Sequence, residues 1–139
     1  LQMSATQLAT YIFILHQSCC THHGGLVKAG QHHPLSEKDV QRLGSTYHAI
    51  CNLFRDTPIT DERSYLEDVP NIRGYIARIR TAIAHHIDDQ DIRFYTPQDT
   101  SDKSRYYIAI DPTKITLRIS SGEVPFMDYP LWKTLASKH

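Results

Sequence analysis

Through three separate stretches of this chain, apolar residues recur in steps of three and four. That spacing commits each stretch to a helix that must bury one face. Leu8, Tyr11, Ile12, Leu15 and Cys19 mark a first helix over residues 3–23, with Ser4 as its N-cap and Gly24-Gly25 as its stop. After a loop over residues 24–35 that contains Pro34, Ser36-Glu37-Lys38-Asp39 reads as a capping box with Asp in place of Glu. Val40, Leu43, Tyr47, Ile50, Cys51 and Phe54 define a second helix that ends near Arg55, ahead of Thr57-Pro58. Thr60-Asp61-Glu62 opens a short helix through Leu66. Asn71 then caps a third long helix carried by Ile72, Tyr75, Ile76, Ile79 and Ile83, which reaches His86 or Ile87. Gly74 weakens this helix slightly. Asp88-Asp89 form its exit, because the helix dipole disfavours anions there.

Beyond a polar connector over residues 96–104 the period changes from 3.6 to 2. Tyr106–Ile110 and Lys114–Ser120 are rich in Tyr, Ile and Thr, with Asp111-Pro112-Thr113 as a turn, so the two runs are expected to pair as a β-hairpin. Asp128–Ser137 closes the chain as a short helix with Pro130 in its first turn and Trp132 and Leu135 facing inward. The fold class expected is mainly α: a helical bundle over about 3–90, with a C-terminal β-hairpin and short final helix over about 105–137. With 139 residues and no internal repeat, the chain reads as a single domain.

A hydrophobic share of 40% against 22% charged residues places the chain among globular proteins. Lys plus Arg and Asp plus Glu are both 15, so the chain lacks the general positive coat of a nucleic-acid binder, and any attraction to RNA must be local. Cys19, Cys20 and Cys51 make a poor disulfide framework, which fits a reducing, cytoplasmic setting. The apolar run Tyr11–Leu15 is too short to span a bilayer and follows no basic region, so neither a membrane anchor nor a signal peptide is expected. Opening at Leu1 rather than Met is what a fragment or a processed chain would show.

One stretch carries chemistry: Arg78-Ile79-Arg80-Thr81-Ala82-Ile83-Ala84-His85-His86. Arginine clamps a phosphate through parallel hydrogen bonds, and histidine transfers protons near neutral pH. At about 100° per residue Arg80 and His85 stand about 140° apart on a helix. They flank a shared edge, and two such helices facing across a two-fold axis would bring two Arg and two His to one groove. Arg73 lies two turns before Arg80 and extends a positive strip.

In these residues the chain resembles the HEPN superfamily, small helical-bundle proteins whose motif is Arg, four to six residues, then His. Arg80-Thr81-Ala82-Ile83-Ala84-His85 matches the four-residue version, Arg80 to His86 the five-residue one and Arg78 to His85 the six-residue one, and the resemblance covers mainly residues 36–90. It implies a homodimeric, metal-independent endoribonuclease without cofactor. Arg80 would stabilise the charge developing on the scissile phosphate, and His85 would act as general acid or base. Arg73, Arg78, Thr81 and His86 would serve as substrate-binding neighbours. It further implies a toxin–antitoxin or phage-defence setting, with an antitoxin or other regulatory partner protein. Two departures stand out. Ile87 occupies the position two residues after the His where some such toxins carry a modifiable Tyr, and the hairpin lies outside the minimal bundle.

Other readings remain open. A non-catalytic nucleotide-binding or protein-interaction module on the same bundle is one. A small zinc protein using His16, Cys19, Cys20, His22 and His23, with His32 and His33 beyond a loop, is another. The spacing of that cluster matches no standard finger, and Cys19 falls on the apolar face, so no metal site is assigned. Cys20 lacks an activating base nearby in sequence. Tyr106, Tyr107, Tyr129 and Trp132 are candidates for base stacking or for core packing.

Overall fold

A computed structural model describes residues 4–21, 24–27, 36–54, 65–88, 90–119 and 122–138. Its organising element is α1 (Ala5–Cys19), which is buried on nearly every side. Ala9, Ile12, Phe13, Ile14 and Leu15 are all in the core, and so are Thr10, His16 and Gln17. The single apolar face expected from the spacing was too narrow: α2 (Glu37–Leu53), α3 (Tyr65–Ala84) and a small sheet all pack against α1. A helix clothed all round must satisfy its polar side chains internally. Thr10 Oγ1 donates to Thr6 O and so accepts from Tyr47 Oη at 2.9 Å.

Local signals set the helix starts. Ser4 and Gln7 form a reciprocal capping box at 3.2 Å in both directions. Ser36 accepts from Asp39 N at 3.2 Å, while the Asp39 carboxylate lies 3.6 Å from Arg42 Nη2. Leu43, Thr46, Tyr47 and Ile50 bury one face of α2, and Ile72, Ile76, Ile79 and Ile83 one face of α3. The expected start of the third helix at Asn71 is corrected: α3 begins at Tyr65 and runs through Pro70 and Asn71. The opening at Thr60-Asp61-Glu62 lies outside the described residues.

The sheet corrects a second expectation. Residues 106–110 do not pair with 114–120. Instead β3 (Arg105–Tyr107) is the middle of a three-stranded antiparallel sheet, between β1 (Leu26–Val27) and β2 (Gln98–Asp99). Leu26 faces Tyr106 in register, and Gln98 faces Tyr107. β4 (Thr116–Ile119) pairs with β5 (Gly122–Pro125), Leu117 opposite Val124, as the C-terminal hairpin. The reason is local. Asp111 caps Pro112–Lys114 as a 3-10 turn by accepting from Thr113 N, so the chain is redirected there rather than folded back. Gly25, at φ 146, passes so close to Tyr106 O that no side chain fits, which lets β1 reach β3.

After the hairpin, α5 (Pro130–Lys138) starts at the expected proline. Trp132 and Leu135 face inward, at 6% and 4% exposure. Trp132 Nε1 donates to Phe126 O, and its ring lies 4.8 Å from that of His16 and 5.2 Å from that of Phe126. The architecture is therefore mainly α with small antiparallel sheets, the C-terminal hairpin and a short final helix. No helix among the described residues is long and apolar enough to cross a membrane.

Candidate functional site

α3 ends at Ala84, where its buried stripe ends with Ile83. His85 and His86 form a turn, closed by His86 N donating to Ile83 O at 2.9 Å. The helix therefore stops two or three residues short of the expected His86 or Ile87, and helical geometry carries Arg73 through Ala84 but not His85. Arg73, Arg78 and Thr81 are exposed on α3, and His85 and His86 are exposed in the turn. Thr81 Oγ1 donates to Ala77 O at 3.1 Å. Arg78 and Thr81 are three residues apart on one solvent-facing side of α3, which leads directly into His85.

Arg80 leaves that side. It is half-buried, and its Nε and Nη2 both donate to Pro97 O, at 3.0 and 2.7 Å. Pro97 is fully buried, so the guanidinium clasps a backbone corner and keeps only part of its donor fork for another partner. The described residues show no hydrogen bond between Arg80 and His85. The structure thus leaves Arg78, Thr81, His85 and His86 in solvent and turns Arg80 onto Pro97 as an anchor.

The flank of α3 that Arg80 occupies meets an element that the residue spacing did not announce. α4 (Ile92–Tyr95) is a single turn that packs against α3 and buries none of its own residues. Tyr11 Oη donates to Tyr95 O at 2.7 Å, and Thr96 Oγ1 donates to Ile92 O at 2.8 Å. Phe94 is 56% exposed, and Arg93 beside it is exposed too. The one sequence signal was the run Ile92-Arg93-Phe94-Tyr95 between two polar stretches. A groove of about 540 Å³ separates α4 and the end of α3 from the hairpin. Ile83, Ile87 and Tyr95 form one wall and Leu117 belongs to the other, with the exposed Arg118–Glu123 pair, 2.8 Å apart, at its rim.

Of the His/Cys cluster, the structure describes His16, Cys19 and Cys20. His16 is 4% exposed and stacks on Trp132. Gln17 Nε2 can only donate, so His16 Nδ1 accepts at 3.1 Å. Gln17 Oε1 in turn accepts from Arg42 Nη1 at 3.4 Å. Burial, with Arg42 adding to it, pushes the imidazole down to about 4. Burial also raises the Cys19 thiol, and pushes that of Cys20 up to about 11, the opposite of what a reactive thiolate needs. His22, His23, His32 and His33 lie outside the described residues. Among the described residues, no three His, Cys, Asp or Glu side chains are grouped to hold a metal ion. Of the stacking candidates, Trp132 is core, and Tyr106, Tyr107 and Tyr129 are half-buried.

Comparison of the chain with protein-family models, with curated proteins and with solved structures returns no match. The groups on offer are a cation and a hydroxyl exposed on α3, two imidazoles exposed at its end, a second cation anchored on Pro97, and an aromatic ring facing solvent.

Proposed function

We propose that this chain is a HEPN-like, metal-independent endoribonuclease that works as a homodimer through the end of α3. The observation that carries the reading is that His85, His86, Arg78 and Thr81 all stand in solvent at one helix end, without a packing role there. In this mechanism His85 takes the proton of a ribose 2′-hydroxyl, whose oxygen attacks the adjacent phosphorus. An arginine stabilises the added negative charge on the phosphate. A second histidine, His86 or the His85 of a facing copy, protonates the departing 5′-oxygen. The products are a 2′,3′-cyclic phosphate and a 5′-hydroxyl. Arg80 meets the phosphate only through the donors left free by Pro97, so Arg78 shares that role. A cytoplasmic toxin–antitoxin or phage-defence setting, with a partner protein holding the enzyme in check, fits this chemistry.

Purified protein is incubated with labelled single-stranded RNA in the presence of EDTA, beside His85→Gln, Arg78→Ala and Arg80→Lys. Loss of His85 should lower cleavage at least a hundredfold, as expected for a general acid or base, and end-group analysis should show cyclic phosphate. Arg80→Lys retains a cation but not the two-pronged clasp, so it should lose activity and stability together. Cleavage unchanged in His85→Gln would refute the mechanism. The clasp itself favours a second reading, a non-catalytic nucleotide-binding or protein-interaction module, since it ties the motif arginine to the fold. RNA bound by a folded dimer that never cleaves it would select that reading.

A further inference from the structure

α4 poses a physical question. It is one turn long, has no side-chain cap at Asp91 and buries none of its residues, so neither propensity nor core packing holds it in place. It is nevertheless fixed at its C-terminal end by two long-range side chains. Tyr11 of α1 donates to Tyr95 O at 2.7 Å, and Arg80 of α3 grips Pro97 O with two nitrogens. Thr96, 2% exposed, closes the turn from inside through its bond to Ile92 O and accepts from Gln98 Nε2 at 2.8 Å. The side chain this scaffold holds outward is Phe94, the most exposed of the large hydrophobics described, at 56%. Arg93 is exposed next to it. The turn bearing His85 and His86 adjoins it, since Ile87 and Tyr95 line one groove.

We propose that α4 is a nucleobase-stacking platform for single-stranded RNA. A base lies on the open ring of Phe94, and a flanking phosphate meets Arg93. This deepens the ribonuclease reading and rests on its RNA half. A rigidly held aromatic face suits this task because every base has a π-face, and stacking needs no groove. The charge pattern limits the electrostatic share of binding. Asp88 and Asp91 stand exposed on the same loop and offset its cations, so a platform here must draw affinity from stacking more than from net charge. With one phosphate contact, the logarithm of affinity should fall with the logarithm of salt by a slope of only about −0.7.

The test uses the full chain and a fluorescein-labelled 2′-O-methyl oligoadenylate. It has no free 2′-hydroxyl and therefore cannot be cleaved by the mechanism above. Binding is followed by anisotropy for the parent, Phe94→Ala, Phe94→Leu and Phe94→Trp, with folding checked by circular dichroism. Removing the ring in Phe94→Ala or Phe94→Leu should weaken binding about tenfold or more, while Phe94→Trp binds at least as tightly as the parent. Leu keeps the apolar surface and loses only the π-face, which separates stacking from simple hydrophobic contact. If the parent binds and all three variants match it, the platform is wrong and the RNA reading stands. If Leu matches the parent while Ala does not, stacking is wrong. If the folded parent binds neither this oligomer nor unmodified RNA, the RNA reading falls and the platform with it. Binding that depends on Phe94 without any cleavage upholds the platform and removes the catalytic half.

Discussion

At the scale of single residues, His16 shows how a cluster that suggests chemistry turns into core. The cluster it belongs to in sequence holds Cys19, Cys20, His22 and His23, but the side chains it meets are those of Trp132 and Gln17, with Arg42 nearby. That exchange was not legible, because α1 was read with one buried face and His16 lies off it. The consequence is a pH dependence with a defined sign. In the folded chain the imidazole stays neutral down to about pH 4, whereas in the unfolded chain it takes a proton near its ordinary value of 6.5. Protons therefore bind the unfolded state first. Stability is complete above that ordinary value, falls as pH drops towards 4, and levels off once the folded chain is protonated as well. The gap corresponds to about 3 kcal/mol at most. Urea midpoints measured between pH 7.5 and 4.5 should fall for the parent and fall markedly less for His16→Phe, which has nothing to titrate there. Parallel curves would place the acid sensitivity elsewhere.

At the scale of elements, what the sequence made legible was whatever a few adjacent residues decide. Ser4 and Ser36 cap their helices, Pro130 opens α5, and Ile72, Ile76, Ile79 and Ile83 draw the buried line of α3. Strand pairing was not legible, because β1 and β2 are two residues long and β3 is three, too short to carry an alternating pattern. β1 and β3 pack on α1, and Ile108 N, just past β3, donates to Ser18 Oγ at 3.3 Å. The candidate site divides in the same way. The Arg and His spacing was visible in the sequence, whereas the Arg80 clasp and the exposure of Phe94 are set by tertiary placement. Gly74 gives this scale its prediction. It sits exposed inside α3, and a Cβ there would meet nothing within 4 Å. Gly74→Ala should stabilise the chain by about 0.5–1 kcal/mol, since glycine loses more freedom than alanine in a helix. Thermal denaturation should show a Tm a few degrees higher. A lower Tm would mean that a second copy lies against this side of α3, the side that carries Arg78 and Thr81.

At the scale of the whole molecule, the C-terminal hairpin and α5 complete the helical core. One hydrophobic cluster takes in Ile12, Phe13 and Leu15 of α1, Leu43 and Ile50 of α2, and Ile72 and Ile76 of α3, and continues into Leu117, Phe126, Trp132 and Leu135. The β4–β5 hairpin and α5 therefore close the bundle, and the groove beside the candidate site has this hairpin as one wall. This arrangement links the candidate site at one end to packing at the other, because Ile83 and Leu117 line the same groove. Trp132 is the residue on which to test it. It is the chain's one tryptophan, and it touches the rings of His16, Phe126 and Tyr129. Trp132→Ala should cost about 3–5 kcal/mol, a large part of the 5–15 kcal/mol typical of a domain. In the parent, tryptophan fluorescence reports the C-terminal packing and far-ultraviolet circular dichroism reports the three long helices. With one shared core the two denaturation curves should coincide. In Trp132→Ala the helical signal should melt earlier as a whole, rather than lose only the share of α5. If fluorescence changes first while the helices persist, the C-terminal segment is a separable layer, and the groove wall it supplies can open independently of the bundle.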